Sequence, residues 1–415
     1  MRVLYVDAVG PFGGASRSLF EAVQALTTAG HVEAYFAMQR GTAQEFYGRL
    51  ATDLIATRGL TRFDNTRVSH YQGVRWLVLL REIFHFPYTL LAMWRAKRCW
   101  RSVDLIHVNE VIDIIPGLVA KALFRAPMVV HVRSLQWTNM RALRTRWVNA
   151  RLRRSAAAVI AINENTRASL PADLDVDIIQ NSFTPKKAMQ PDPQLLRRLD
   201  GLRQDSLKVG FVGNLHAAKG LFELLEAVSI LRRQGRDVEC LVVGGVTIPD
   251  RGLKAWALAR AGLAQNIQAE VEQRVKTLGV ADSFHLLGHT TDIQTVYERL
   301  DVLAFPSYFD APGRPVFEAA FSGVPSIVCV ERPYPDTLVA GETGLTVPPR
   351  DPAALAAAIR HFADDRAEVR RMGDNARRLA VENFVPAKNA AKLLAVYQRV
   401  LGGQARPLTQ PRPLD

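Results

Sequence analysis

Cysteine is scarce in this chain. Cys99, Cys240 and Cys329 are the three among 415 residues, and they stand too far apart for a metal-ligand spacing. That excludes a disulfide framework and fits buried thiols in a reducing compartment. A long unbroken apolar run is also missing. The most apolar and aromatic stretch, Trp76 to Leu80 and Ile83 to Trp94, is interrupted by Arg81, Glu82, His85 and Pro87, which excludes a transmembrane helix. The opening, Met1 to Asp7, lacks the apolar core and cleavage site of a signal peptide and reads as a strand. A cytoplasmic placement follows, with attachment to the inner face of the cytoplasmic membrane as an option.

Acidic residues are outnumbered. The net charge is +13, and residues 1–183 carry 23 Lys/Arg against 14 Asp/Glu, a net of +9. Seven arginines between Arg133 and Arg154 have no acid among them, and Arg95, Lys97, Arg98 and Arg101 follow the apolar stretch directly. Basic side chains beside Trp, Phe and Leu suit an anionic membrane surface, so residues 76–101 and 133–154 are either such a surface or solvated helical faces. No nucleic-acid-binding motif accompanies the charge, and no nucleic-acid partner is expected. The rest of the composition is that of a soluble globular protein, long enough for two or more domains.

What is present is a repeated βα rhythm, which argues for parallel sheets with covered faces. Val3–Val6 is a strand. Gly10 to Ser16 is a glycine-rich loop holding Gly13 and Gly14, and a helix runs from Ser16 to Ala29. Such a loop admits a phosphate or sugar to the backbone, or is a tight turn with no ligand. Further strands end at His107-Val-Asn109-Glu110 and at His131-Val-Arg133, where the spacing of two puts His131 and Arg133 on one side. Residues 184–206 read as a linker with a short helix. A second βα series begins at Leu207 and passes through Gly213, Asn214, Lys219, Gly244, Gly288 and His289. Residues 246–268 look like an inserted lobe, and the proline-containing tail from 403 to 415 reads as disordered.

The most informative stretch is Asp301 to Val330. An apolar run, Val302–Phe305, reads as a buried strand stopping at Pro306-Ser307, and the loop beyond it carries Asp310, Gly313 and Arg314. Pro315 opens a helix that ends at Gly323, with Val316 inside it and Glu318 in the first turn. Ligands of open α/β sheets bind beyond the carboxyl ends of strands, beside helix N-termini, so Asp310, Gly313, Arg314 and Glu318 are expected to converge on an anionic ligand.

These residues resemble the retaining GT-B glycosyltransferases of glycosyltransferase family 4. The likeness rests on Val212-Gly213-x5-Lys219-Gly220, Leu287-Gly288 with Asp292-Ile293, Asp301-Val-Leu with Pro306-Ser307, Glu318-Ala-x3-Gly323-x-Pro325, Gly341-Glu-Thr-Gly344-Leu, and Asn375-Ala-Arg377 with Phe384. It is strongest over residues 207–385. The resemblance implies an α/β fold of two Rossmann-like domains facing a cleft. Residues 1–183 would hold the acceptor at Gly13, Gly14 and Asn109, residues 207–385 the nucleotide sugar, and the helix over 386–402 would cross back to the first domain. It also implies a retaining transfer from a UDP- or GDP-linked sugar to a glycan or polyprenyl-linked acceptor, with no metal and no cofactor. Lys219 would steady the leaving diphosphate. Asp310 and Glu318 fall on the family's paired acids, the first near the reacting centre and the second on the ribose hydroxyls. Gly213, Asn214, Gly244, Gly288, His289, Gly313, Pro315 and Val316 would complete the donor site.

Three positions depart from the family pattern. Asp310 is one methylene shorter than the usual glutamate. Asn214 stands where an arginine is common, and Arg314 could supply the missing cation. Arg133 stands where a histidine is common, with His131 two residues earlier as a cleft or core residue. Other readings of the chain are a nucleotide-sugar epimerase of the same architecture, a catalytically silent donor-binding member, and a membrane-surface scaffold.

Overall fold

The computed structural model describes residues 1–67, 77–187, 192–245, 267–308, 312–331 and 333–402. The chain divides into two compact units, one made of Met1–Phe183 with the residues from Phe384 on, the other of Thr184–Asn383. The expected inserted lobe, apart from its last residues, and the tail from 403 lie outside the described residues.

In the first unit the chain runs β1 (Arg2–Asp7), α1 (Gly14–Thr28), β2 (Glu33–Gln39), α2 (Ala43–Gly48), β3 (Asp53–Thr57), α3 (Leu77–Trp100), β4 (Leu105–Val108), α4 (Ile114–Phe124), β5 (Met128–Val132), α5 (Leu143–Ser155), β6 (Ala158–Ala161), α6 (Glu164–Ala168) and β7 (Asp177–Ile178). The strands pair in parallel in the order β3-β2-β1-β4-β5-β6-β7. Val3 to Val6 are buried on both faces of β1, as a central parallel strand requires.

The second unit runs α7 (Pro193–Asp200), β8 (Leu207–Val212), α8 (Leu221–Arg233), β9 (Val238–Val243), α9 (Ile267–Leu278), β10 (Phe284–Gly288), α10 (Ile293–Tyr297), β11 (Val302–Phe305), α11 (Arg314–Phe321), β12 (Ser326–Cys329), β13 (Gly344–Val347), α12 (Pro352–Asp364) and α13 (Arg366–Asn383). Its sheet is parallel in the order β10-β9-β8-β11-β12-β13. Both units are thus Rossmann-like. In each, strand order reverses once, between β1 and β4 and between β8 and β11, and the carboxyl ends beside such a reversal form the natural ligand crevice.

The chain then returns to the first unit as α14 (Pro386–Val400), which packs on α1. Leu393, Leu394 and Tyr397 join the core of Val3, Tyr5, Leu19 and Phe36. The Tyr397 hydroxyl lies 2.7 Å from Nδ1 of His107. Burial, with the Arg133 charge, holds His107 neutral by pushing its pKa down to about 3.

Two expectations change. Cys240 and Cys329 are buried as expected, but Cys99 is exposed. The short helix expected within 184–206 is α7. Asp192 caps α7 by accepting from the Gln194 amide at 2.8 Å, and Leu195 and Leu199 sit in the core of the second unit with Leu241 and Leu303. The helix α11 begins at Arg314, one residue before the expected proline, which places Glu318 in the second turn.

Candidate functional site

In the second unit the strand ends are drawn together by backbone. The Gly213 amide donates to Val243 O at 3.0 Å and the Gly244 amide to Gly288 O at 2.9 Å, joining the ends of β8, β9 and β10. Gly244 has φ +155, and a Cβ there would sit 1.8 Å from Gly213 O. Glycine is therefore obligatory. Beyond Gly213, Asn214 is exposed, and a single 3-10 turn covers Ala217–Lys219. It ends at Gly220, with φ +73, whose added Cβ would lie 2.0 Å from Pro306 O. The Tyr308 amide donates to Ala218 O at 3.0 Å. The Lys219 turn is thereby seated on the end of β11.

Phe305 is the hinge of this arrangement. The Lys219 Nζ lies 5.1 Å from its ring centroid, and burial pushes the lysine pKa down. An added Cβ at Gly313 would meet the tip of the same ring, 2.4 Å from Cζ. Gly313 is the extended N-cap of α11, followed by Arg314, Pro315 and buried Val316. Glu318 is buried, with Oε1 accepting from Arg314 Nε at 3.0 Å and Oε2 from the Tyr297 hydroxyl at 3.0 Å. Arg314 also lies over Phe317, 5.4 Å from the centroid. The cation expected at the phosphates is therefore tied to the expected ribose acid. Gly288, at φ +78, closes β10, and exposed His289 follows beside Gly245. Asp310 lies outside the described residues.

The first unit builds a second cluster at its own reversal. Asp7 closes β1 and is fully buried. Its Oδ2 accepts from Tyr47 at 2.6 Å, Ser16 at 3.1 Å and Asn109 Nδ2 at 3.1 Å, while Oδ1 accepts from the Val9 amide at 2.9 Å. Burial raises its pKa against these bonds. Gly13 and Gly14 open α1 with exposed backbone, one turn from Ser16. Arg133 donates from Nε to the backbone O and the Oδ1 of Asn109, at 3.0 and 2.9 Å, and from Nη1 to Asn181 Oδ1 at 2.7 Å. Its Nη2 lies 3.2 Å from Nδ1 of His131. His131 is buried, and burial with the Arg133 charge pushes its pKa well down and keeps it neutral.

Arg133 therefore belongs to this cluster and not to the basic surface with which its sequence neighbours group it. Glu110 accepts from the Val111 and Arg133 amides and from Ser134, at 2.8, 3.1 and 2.8 Å, and burial pushes its pKa up to about 7. Asp113 accepts from the Ala8 amide at 3.1 Å. Asp7, Glu110 and Asp113 were not singled out from sequence. For Asp7 and Glu110 the signal is a charged residue at or just past the end of an apolar strand, whereas Asp113 lies in a 3-10 turn beyond β4.

Comparison with known proteins is consistent across the chain. Residues 194–379 match the family model for glycosyl transferases group 1, and residues 12–182 match that for glycosyltransferase family 4. A 2-deoxystreptamine glucosyltransferase of Streptomyces kanamyceticus is 28% identical over 334 residues, covering 74% of this chain and 80% of that one. The lipopolysaccharide core biosynthesis mannosyltransferase LpsB of Rhizobium meliloti is 24% identical over 315 residues, covering 75% and 84%. Among solved structures, Anabaena HepE in complex with UDP superposes with a TM-score of 0.73 at 21% identity, covering 96% of this chain and 100% of that one. The likeness supports the GT-B fold.

Proposed function

The chain belongs to the group 1 glycosyltransferases, which move a sugar from a nucleotide-sugar donor, and we propose that it does so with retention of anomeric configuration and without a metal ion. The donor is a UDP- or GDP-linked sugar. The acceptor is a glycan or a polyprenyl-linked glycan of surface polysaccharide or glycolipid synthesis.

The observation that carries this reading is that the Lys219 turn and the α11 N-terminus both pack against the Phe305 ring, beside the β8/β11 reversal. An ammonium and a helix N-terminus together favour a diphosphate. Glu318, two carboxylate oxygens already oriented by Arg314 and Tyr297, accepts the ribose hydroxyls. Asp310 contacts the donor sugar. The acceptor hydroxyl attacks on the face from which the diphosphate departs, and a β-phosphate oxygen takes its proton. The bond to the leaving oxygen breaks as the new glycosidic bond forms, with Lys219 and the helix amides holding the charge that develops. In the first unit, Arg133, held by buried His131 and Asn109, is the proposed acceptor-binding residue.

The test is a thermal-shift screen against nucleoside diphosphates followed by transfer assays in EDTA. Stabilisation by UDP or GDP, transfer that survives EDTA, and a product with the donor's anomeric configuration are expected. An inverted product would refute the retaining step, and release of an altered nucleotide sugar without acceptor would replace transfer by epimerisation.

A further inference from the structure

Helix α3 exposes a large apolar face while burying two polar side chains. Its inward face carries Glu82 and Thr89, both buried. Glu82 accepts from the Arg62 amide at 2.7 Å and pairs with the Arg62 guanidinium at 3.6 Å, and Thr89 accepts from the Thr61 amide at 2.8 Å. Ala92, Met93, Ala96 and Trp100 continue that face into the core. The outward face is apolar. Leu80, Ile83, Phe84, Leu90, Leu91 and Trp94 are each between 44% and 61% exposed. Their spacing of three and four residues sets them on one stripe. The same stripe then turns basic at Arg98, which lies over the Trp94 ring at 4.8 Å, and exposed Arg101 follows just past the helix end, while Lys97 turns aside over the Phe124 ring at 5.1 Å.

A soluble surface rarely exposes so many large apolar side chains in one patch, and such a patch marks a contact. Among the described residues no helix is long and apolar enough to cross a membrane. An apolar stripe continued by cations fits a helix lying in the headgroup layer, its apolar face at the acyl boundary and its cations on lipid phosphates. We propose that α3 docks the first unit on an anionic lipid bilayer in this way. The basic end selects a negatively charged bilayer over a second copy of the chain, whose matching stripe carries the same charge. The proposal stands on α3 alone and does not depend on the donor site.

The experiment floats the full chain with vesicles of phosphatidylcholine alone and of phosphatidylcholine with phosphatidylglycerol, at low and high salt. Binding to the mixed vesicles, weakened by salt, is expected. The double variant Ile83→Ser/Leu91→Ser should lose about tenfold in partitioning, and Arg98→Glu/Arg101→Glu should lose the preference for anionic vesicles. Both alter exposed side chains, and unchanged melting and nucleoside-diphosphate binding in the same samples show that the fold and the donor site persist. Failure of vesicle binding with intact nucleotide binding therefore overturns this proposal alone. A wild-type dimer that becomes monomeric in Ile83→Ser/Leu91→Ser, with no vesicle binding, would assign the stripe to a second copy instead.

Discussion

Asn109 donates from Nδ2 to Oδ2 of Asp7 at 3.1 Å, and so links the ends of β4 and β1 where the first sheet reverses. The same Asn109 side chain accepts from Arg133, so one amide couples a buried acid to a cation. Asn109→Ala strands Asp7 with one donor fewer in a site closed to water. Loss of about 1–3 kcal/mol of stability is expected, measured by urea unfolding. Asn109→Asp should be worse, because it sets a second carboxylate against the first.

Lys219→Ala removes the ammonium proposed to face the leaving diphosphate. By comparison with other charge-stabilising donors it should lower kcat by roughly 2–4 kcal/mol of transition-state stabilisation while the melting temperature holds. Near-normal turnover would dismiss the assignment.

Arg314→Ala breaks a nearly buried ion pair and leaves Glu318 with the Tyr297 hydroxyl. Leaving one buried charge behind costs about 3–5 kcal/mol. The proposed role of Arg314 at the phosphates adds weaker nucleoside-diphosphate binding, read by calorimetry. A variant that is destabilised yet binds UDP and GDP as before would confine Arg314 to orienting Glu318.

Gly244→Ala forces a Cβ into the Gly213 carbonyl and a side chain into φ +155. Misfolding of the second unit, or a melting temperature lowered by many degrees, is expected, since positive φ in a non-glycine residue alone costs about 1–3 kcal/mol. Gly13→Ala, where nothing lies within 4 Å of the added carbon, should be tolerated in the fold.

Glu110 sets a pH dependence. Burial raises its pKa from the ordinary 4.5 to about 7, so the folded chain keeps a proton that the unfolded chain releases above pH 4.5. The folded state then binds more protons than the unfolded one, and stability from this group falls as pH rises from about 4.5 to 7 and is level above. Glu110→Gln cannot ionise. Its stability relative to wild type should climb across the same window, measured by urea unfolding at a series of pH values. A constant difference between the two would show that Glu110 ionises normally.

Much of this architecture was legible as pattern. Runs such as Val3–Val6 and Val302–Phe305 are apolar at every position because parallel strands are covered on both faces. In the Gly213–Gly220 and Gly313–Glu318 segments, Gly213 and Gly220 take positive φ and Gly313 abuts the Phe305 ring, demands that leave a glycine in the sequence. What stayed hidden depends on direction. Arg133 reads as one of seven clustered arginines, yet its guanidinium turns inward to Asn109 and Asn181. In α3, Glu82 reads as an interruption of an apolar stretch, whereas it lies on the helix's buried side. In α7, prolines and charges masked a pair of core leucines four residues apart. Asp7 contacts Tyr47 and Asn109, 40 and 102 residues away, and such distances leave no local signature.

The return of α14 bears on how the chain is made. Phe183 and Phe384, where the chain leaves and re-enters the first unit, are joined by an amide-to-carbonyl bond of 2.9 Å. Everything between them emerges from the ribosome before Leu393, Leu394 and Tyr397 can fill the core beneath α1. The second unit, a continuous segment, can therefore complete itself during synthesis, while the segment translated before it waits with an open apolar face until α14 arrives. Ribosome stalling short of residue 386 should leave the first unit open to proteases and the second one resistant.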